Sequence, residues 1–286
     1  MDIVHRADGS TVEYAGGSAA NVAVALARLD RPVRFVTAWA DDDRGRVLTE
    51  HLDRAGVGMA TDPAVLARTA TAAATLDPDG SATYEFDVEW RFGAVPLEPA
   101  PLVVHTCSIG AVLEPGADEA RELVARLRGS STISYDVNAR PAITGTGPEV
   151  VALVEQMAAL SDVVKASDED LGHLYPTLPL AKAAATLLAL GPVAVVVTRG
   201  GAGATWFGAG RDPIEVASRP VEVADTIGAG DTFGAATIDA LWERELLGAD
   251  RRDALRDLPA DQVASVLAHA AKAAAVTVSR PGADPP

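Results

Sequence analysis

The sequence predicts an α/β protein: a mostly parallel central sheet with helices on both faces, and a smaller β element beside it. Two observations carry the prediction. From residue 102 onward short apolar runs alternate with segments of helical period, the signature of repeated βαβ units. Earlier, residues 70–90 are instead small, β-branched and aromatic around turn residues, with no helical period, and residues 1–15 form a second short hairpin pattern. At 286 residues the chain is long enough for one large domain with a well-buried core and a small appendage.

In order, residues 1–15 read as two short strands around Arg6-Ala7-Asp8-Gly9-Ser10. Gly16-Gly17 then leads into a helix whose apolar face is Val22, Ala25, Leu26 and Leu29, with Ser18 in position to cap it. A buried strand is expected over 33–37. Asp41-Asp42-Asp43 opens the next helix, which carries Val47, Leu48 and Leu52; three acids there complement the helix dipole rather than form a metal cluster. The hairpin over 70–90 turns at Asp77-Pro78-Asp79-Gly80. Strands are predicted over 102–106, 132–137, 163–166, 193–198 and 204–207, with helices over 117–127, 149–160, 180–190 and 261–278. Gly200-Gly201-Ala202-Gly203 precedes a strand, not a helix, so it is a tight hairpin turn and not a dinucleotide loop. The two hairpins together make a small sheet of the kind that covers a site, giving a core of 16–68 and 91–286 and a β lid of 1–15 and 69–90.

Composition excludes several classes. The formal net charge of −16 argues against nucleic acid as the main partner. No apolar run approaches 18 residues, so no membrane span is expected, and no secretory signal is visible. A single cysteine, Cys107, excludes an internal disulfide and fits a reducing, cytoplasmic location. The basic residues are 21 Arg and 3 Lys, which offers many bidentate phosphate contacts.

The chemistry concentrates at 221–233. Val221 and Val223 read as a strand end, then Gly228-Ala229-Gly230 turns into a helix with apolar positions at Phe233, Ala236, Thr237, Ala240 and Leu241. Bare amides at a helix N-terminus hold anions, phosphate above all. Asp231 is out of place there unless it takes a proton from the group attacking that anion. For an isolated GAGD the default reading is an acidic helix cap. No Lys-Ser/Thr follows the glycines, so the loop is not a Walker A. Further polar groups fall beyond the strand ends, where open sheets bind ligands: Asp136, Asn138, Arg140, Lys165, Ser167, Asp170, Thr198 and Arg199.

Four motifs carry a resemblance. Asp225-Thr226-Ile227-Gly228-Ala229-Gly230-Asp231-Thr232-Phe233 resembles the C-terminal signature of ribokinase-type (PfkB) carbohydrate kinases. Gly16-Gly17-Ser18-Ala19-Ala20-Asn21-Val22-Ala23 is similar to their GG-x-x-x-N-x-A segment, Asp136-Val137-Asn138-Ala139-Arg140-Pro141 to their D-x-N-x-R-P, and Thr198-Arg199-Gly200-Gly201-Ala202-Gly203 to their T-x-G-x-x-G. They occur in family order over nearly the whole chain, which replaces the cap reading of Asp231.

The resemblance implies a ribokinase-like three-layer α/β/α domain with a β lid, and phosphoryl transfer from ATP to a sugar hydroxyl. Asp231 would be the base, and the amides of Gly228, Ala229, Gly230 and Asp231 the anion hole. Asp2, Gly16, Gly17, Asn21 and Arg140 would hold the sugar. Thr198, Gly200, Gly203, Thr226, Gly228 and Gly230 would flank the nucleotide. Mg²⁺ would bridge its phosphates, with Asp170 and Asp136 reaching it through water. Asp225, Ile227, Arg280 and Gly282 would offer oxygens to a monovalent cation such as K⁺.

The chain departs from the family pattern in three places. It begins one residue before Asp2, without the usual first strand. The N-x-x-E motif stands as Ser167-Asp168-Glu169-Asp170, which keeps a shorter carboxylate and loses an amide. The sequence ends at Pro286 within a GA-x-PP-like segment. Ribokinases proper tend to carry Lys after the double glycine, where this chain has Ser18. GGSAANVAVALARL and YEFDVEW are closer to fructokinase-like members, which points to fructose or a related ketose. Ribose, 2-keto-3-deoxygluconate and nucleosides remain alternatives, as does a non-catalytic sugar- or nucleotide-binding relative. A Rossmann oxidoreductase is disfavoured, because no strand–GxGxxG–helix lies near the N-terminus. The lid edges suggest a homodimer by sheet pairing.

Overall fold

The structure is a computed structural model that describes residues 1–5, 8–76, 82–280, 282 and 285. The chain opens with β1 (Asp2–His5), β2 (Thr11–Tyr14), α1 (Ser18–Arg28), β3 (Arg34–Phe35), α2 (Asp43–Arg54) and β4 (Gly58–Met59). Two longer strands follow, β5 (Thr71–Leu76) and β6 (Ala82–Asp87). Then strands and helices alternate: β7 (Val103–Cys107), α3 (Gly116–Leu127), β8 (Thr132–Asp136), α4 (Pro141–Thr144), α5 (Pro148–Leu160) and β9 (Val163–Ser167). The chain continues through α6 (Asp168–Leu174), α7 (Leu180–Leu188), β10 (Ala194–Thr198), β11 (Ala204–Gly208) and β12 (Ile214–Val216). It closes with α8 (Ala229–Trp242), α9 (Arg252–Arg256) and α10 (Ala260–Val278).

The main sheet runs β12-β11-β10-β9-β8-β7, parallel from β7 to β10 and antiparallel beyond. Its two faces are set by strict alternation along each strand. Ile133, Tyr135, Val164, Ala166, Val195 and Val197 point into one core with Met157, Leu171 and Leu187. Val163, Ala194, Val196 and Trp206 point into the other, beneath α8 and α10, with Phe233, Ile238, Leu241 and Leu267. Each fully buried aliphatic side chain of this kind contributes about 1.5–3 kcal/mol. The outcome is three layers, helix on sheet on helix.

The two N-terminal hairpins join in one four-stranded sheet, β2-β1-β5-β6, with β1 and β5 parallel at its centre. The turn residues Asp77 to Gly80 and the turn residues Arg6 and Ala7 lie outside the described residues.

Local chemistry accounts for most element boundaries. Asp42 caps α2 by accepting from the Gly45 amide at 2.8 Å, as the acidic run predicts. The glycine loop after β10 is a one-turn 3-10 segment between antiparallel strands, the expected hairpin.

Two expectations fail. The strand over 33–37 shrinks to Arg34 and Phe35 paired with β4, because Val33 and Val36 pack into different clusters and the segment is only half buried. No strand forms around Val221 and Val223, which are 40% and 60% exposed with no partner strand. That segment is tied down instead by the Ala224 amide, which donates to the Val278 carbonyl at the end of α10.

Candidate active site

The site forms where α1 and α8 start, at the C-terminal edge of the main sheet. Gly228 is the N-cap of α8 at φ +76°, a left-handed conformation that costs other residues about 1–2 kcal/mol. It brings no side chain to cap the helix. The Ala229 amide turns back to the Thr226 carbonyl at 3.3 Å, and the first-turn amides of Gly230 and Asp231 have neither an intrahelical acceptor nor a side-chain cap. α1 begins in the same way, with Gly17 as N-cap at φ +116° and no capping side chain. Two positive helix ends thus converge on one spot.

Asp231 lies in the first turn of α8 and is buried. Its carboxylate is held by neutral donors. Ser18 Oγ donates to Oδ1 at 2.6 Å and Asn21 Nδ2 donates to Oδ2 at 2.8 Å. Asn138 Nδ2 donates to Ser18 Oγ at 2.8 Å and reaches Oδ1 at 3.5 Å. Ser18 and Asn21 stand three residues apart on α1 and so face Asp231 together. The sequence reading of Ser18 as a cap is therefore corrected: Gly17 occupies that position, and the hydroxyl serves the carboxylate.

Asn138 owes its place to backbone geometry. It follows β8 at φ +37°, and Ser108, which follows β7, stands at φ +53°. Ser108 Oγ donates to the Asn138 carbonyl at 2.9 Å, so two left-handed residues beyond adjacent strand ends brace one another. Asn tolerates this conformation better than most residues, and strain of this kind gathers at functional sites.

The other predicted residues fall around this centre. Asp2, on β1, lays its carboxylate over Gly16: a Cβ on Gly16 would stand 1.9 Å from Asp2 Oδ2. Burial raises the Asp2 carboxyl above its usual range, while the N-terminal ammonium and Arg140 pull it back. Arg140 is exposed and folds onto its own loop, donating to Asn138 Oδ1 at 2.7 Å and to the Ala139 carbonyl at 2.9 Å. Thr198 ends β10, and Gly200 and Thr226 are exposed beyond the sheet edge. Gly203 has a structural reason to be glycine: it is buried at φ +97°, and a Cβ would stand 2.1 Å from the Val216 carbonyl oxygen.

The acidic candidates separate. Asp136 is sealed against Lys165, whose Nζ donates to both carboxylate oxygens at 3.0 and 2.9 Å. Burial raises the Asp136 carboxyl to about 6 despite that ammonium. It has no open side toward a metal's water shell, which corrects its placement among the Mg²⁺ residues.

Asp170 forms a capping box with Ser167 and also accepts from the Ala139 amide at 2.8 Å. No group of three or more His, Cys, Asp or Glu able to hold a metal occurs among the described residues. Asp170 keeps spare lone pairs, which fits a cation carried on a ligand and reached through water, but not a protein cage.

Asp225 Oδ1 accepts from the Ile227 amide and Oδ2 from the Gly282 amide, both at 3.0 Å, so those three residues meet; Arg280 stands nearby in the chain. The rest of the GA-x-PP segment, apart from Pro285, lies outside the described residues. Cys107 is buried at the end of β7, where burial and Asp231 push its thiol up and keep it neutral.

Sequence reasoning gave Ser18, Asn138 and Lys165 no catalytic place. Ser18 had a sound local explanation, and the other two were visible only as polar residues beyond strand ends.

Comparison with known proteins agrees with this geometry. A fructokinase from Rhizobium leguminosarum bv. trifolii is 36% identical over 242 residues, which cover 82% of this chain and 73% of that protein. An aminoimidazole riboside kinase from Salmonella typhimurium is 28% identical over 260 residues, covering 86% and 81%. The crystal structure of a Xylella fastidiosa fructokinase with bound ATP superposes with a TM-score of 0.84 at 27% identity, covering 99% of this chain and 90% of that one. The pfkB family carbohydrate kinase profile matches residues 2–286, and the chain belongs to that family.

Proposed function

We propose that this carbohydrate kinase transfers the γ-phosphoryl group of ATP to a hydroxyl of fructose or a related ketose. The observation that carries the reading is the placement of Asp231: a buried carboxylate, oriented by Ser18, Asn21 and Asn138, one turn inside an uncapped helix N-terminus. An acceptor hydroxyl entering this spot gives its proton to Asp231, and its oxygen attacks the γ-phosphorus as the bond from that phosphorus to the β–γ bridging oxygen breaks and ADP leaves. The charge that spreads over the transferring group meets the bare amides of Gly230 and Asp231, where fixed donors need no reorganisation, with the Ala229 amide, now on the Thr226 carbonyl, beside them. Asp2, the Gly16-Gly17 backbone, Asn21 and Arg140 hold the sugar beneath the β lid. Thr198, Gly200 and Thr226 border the nucleotide.

Asp170 would reach, through water, a Mg²⁺ carried on the nucleotide, which would supply charge neutralisation at the phosphates. Asp225, Ile227, Arg280 and Gly282 would offer backbone oxygens to a monovalent cation, in a turn that the Asp225 carboxylate ties together. Fructose is supported by the fructokinase relatives and by the Ser18 position; the aminoimidazole riboside kinase relatives keep a nucleoside as the second reading. No helix among the described residues is long and apolar enough to cross a membrane, and the single cysteine suits the cytoplasm. The lid's open edges, β2 and β6, suit a homodimer, which light scattering at micromolar concentration tests.

The test is ADP release across a panel of sugars, with Asp231→Asn alongside. Fructose is expected to give the highest kcat/KM, and the variant to lose about 10²–10⁴-fold or more in rate while still binding ATP. Turnover confined to a nucleoside ends the fructose assignment. An Asp231→Asn enzyme of undiminished rate ends the base assignment.

A further inference from the structure

The Asp136–Lys165 pair has no part in the proton transfer just described, yet it lies directly beneath it. Lys165 is one of three lysines in the chain, and among the described residues the only lysine or arginine that is buried. Register places it opposite Asp136 across β8 and β9, on the face of the sheet that packs against α8. Its ammonium touches the first turn of α8: a Cβ built on Gly230 would stand 3.3 Å from Nζ, and one on Gly234 3.9 Å from Cδ. The charge is thus held beside the residue that precedes Asp231.

Stability does not account for such a pair. Taking two charges out of water costs several kcal/mol, and apolar residues often serve equally well. Val163 and Val196, neighbours on the same face, are such residues.

We propose that Lys165 is a positioning residue for phosphoryl transfer, its ammonium fixed by Asp136 so as to favour the ionised Asp231 and add positive potential beneath the anion hole. The proposal rests on Asp231 being the base. The groups around Asp231 leave Lys165 as the compensating charge. α1 offers only the neutral Ser18 and Asn21, β7 the neutral Cys107 thiol, and the loop after β8 offers Asn138, with Arg140 directed onto its own loop. Asp136 and Asp170 are carboxylates whose fields oppose a further negative charge, and Asp136, Asp170 and Asp231 all act on the Lys165 ammonium, which Asp136 affects most.

The double variant Asp136→Asn with Lys165→Met removes both charges at nearly constant volume, so neither partner is left buried alone. In the full-length enzyme it is expected to keep ATP affinity and sugar KM within about threefold while kcat falls at least about tenfold. Its acidic limb of kcat/KM against pH should move up, because Lys165 stands nearer the α8 turn than Asp136 does, but by less than a lone opposite charge would give, since the opposing field of Asp136 goes with it. A merely structural pair would lower the active fraction without moving the limb. Gly230→Ala, which crowds Nζ at a helical position, is the second variant should the double one not fold; a smaller upward move of the limb is expected. A folded variant with the wild-type limb and kcat overturns the proposal. Full activity in Asp231→Asn overturns the base reading instead, so the two failures are separable.

Discussion

Gly16→Ala separates sugar binding from chemistry. Gly16 is not left-handed, so its backbone accepts alanine, and the substitution is neutral or stabilising by about 0.4–1 kcal/mol through the unfolded chain. The added methyl, however, would stand 1.9 Å from Asp2 Oδ2 and 2.8 Å from Asp2 Cγ. Ordinary carbon–oxygen contact is about 3.4 Å, so the carboxylate must retreat by about 1.5 Å, more than a hydrogen bond tolerates. Asp2 lies at the end of a lid strand and can swing aside at little cost to the fold. The expected loss is the charged hydrogen bond proposed between Asp2 and the sugar, about 1.5–3 kcal/mol, or about 10–150-fold in KM. If Asp2 holds the substrate in ground and transition states alike, as proposed, kcat should stay within about twofold. Steady-state kinetics with fructose, alongside thermal unfolding, measures both. A KM within twofold of wild type refutes the placing of Asp2 in the sugar site; an equal fall in kcat and kcat/KM refutes its binding-only part.

Two other glycines should respond in opposite ways. Gly203→Ala forces a left-handed residue into the Val216 carbonyl at 2.1 Å and should lose about 3 kcal/mol or more. Gly228→Ala should cost only about 1–2 kcal/mol of stability, lowering Tm by about 2–4 °C per kcal/mol, but should strike kcat by distorting the turn before Asp231. Thermal melts and initial rates check the order, and the reverse order refutes it. A third prediction concerns pH. His105, bonded to Ser134 and with Nε2 buried and unpartnered, is lowered to about 4 by burial and by Lys165, from 6.5. The folded state favours the neutral ring, so this stability is complete above pH 6.5 and declines as pH falls toward 4. A gap of about 2.5 at about 1.36 kcal/mol each makes about 3 kcal/mol. The Asp136 carboxyl, raised to about 6, acts in the opposite sense in the same window, its contribution being present below 3.8 and lost as pH rises through about 6. Comparison with His105→Gln cancels that term: the denaturant-measured difference should shrink by about 3 kcal/mol between pH 7 and pH 4. A constant difference refutes the assignment.

Legibility in the sequence followed the range of the forces involved. The βαβ alternation from 102 onward was readable because each element owes its period to one buried face, a property of the segment itself. The acidic start of α2 was readable for the same reason: Asp42 caps it within three residues. Val221 and Val223 carried an equally good strand pattern, but a strand needs a neighbour, and nothing in 221–223 reveals that none is there. Ser18 misled in a similar way. A serine at a helix start is locally a cap, and only the packing of α1 against α8, more than two hundred residues later in the chain, turns its hydroxyl to Asp231. Lys165 and Asp136 were visible as charges beyond strand ends, but that they neutralise each other depends on β8 and β9 being adjacent and in register.

The arrangement also resolves the conflict of a carboxylate beside an anion site in a chain of net charge −16. Long-range attraction cannot draw a nucleotide in, because the Debye length in physiological salt is about 8 Å and the surface is acidic. Attraction has to be local and fixed. Two helix ends, each equivalent to about half a positive charge, supply it at Gly17 and Gly228, where glycine N-caps keep any side chain from consuming the donors. Asp231 sets one negative charge against these ends, and its hydrogen bonds come from a serine and two asparagines, none of which carries charge that would lock it into an ion pair. An arginine in place of Asn21 would hold the carboxylate more firmly but would make it a poorer proton acceptor. On the proposed reading of Asp231 as the base, neutral donors orient it and leave it able to accept, and Lys165, the buried cation among the described residues, is set a layer below, where it would act through space without a bond to Asp231.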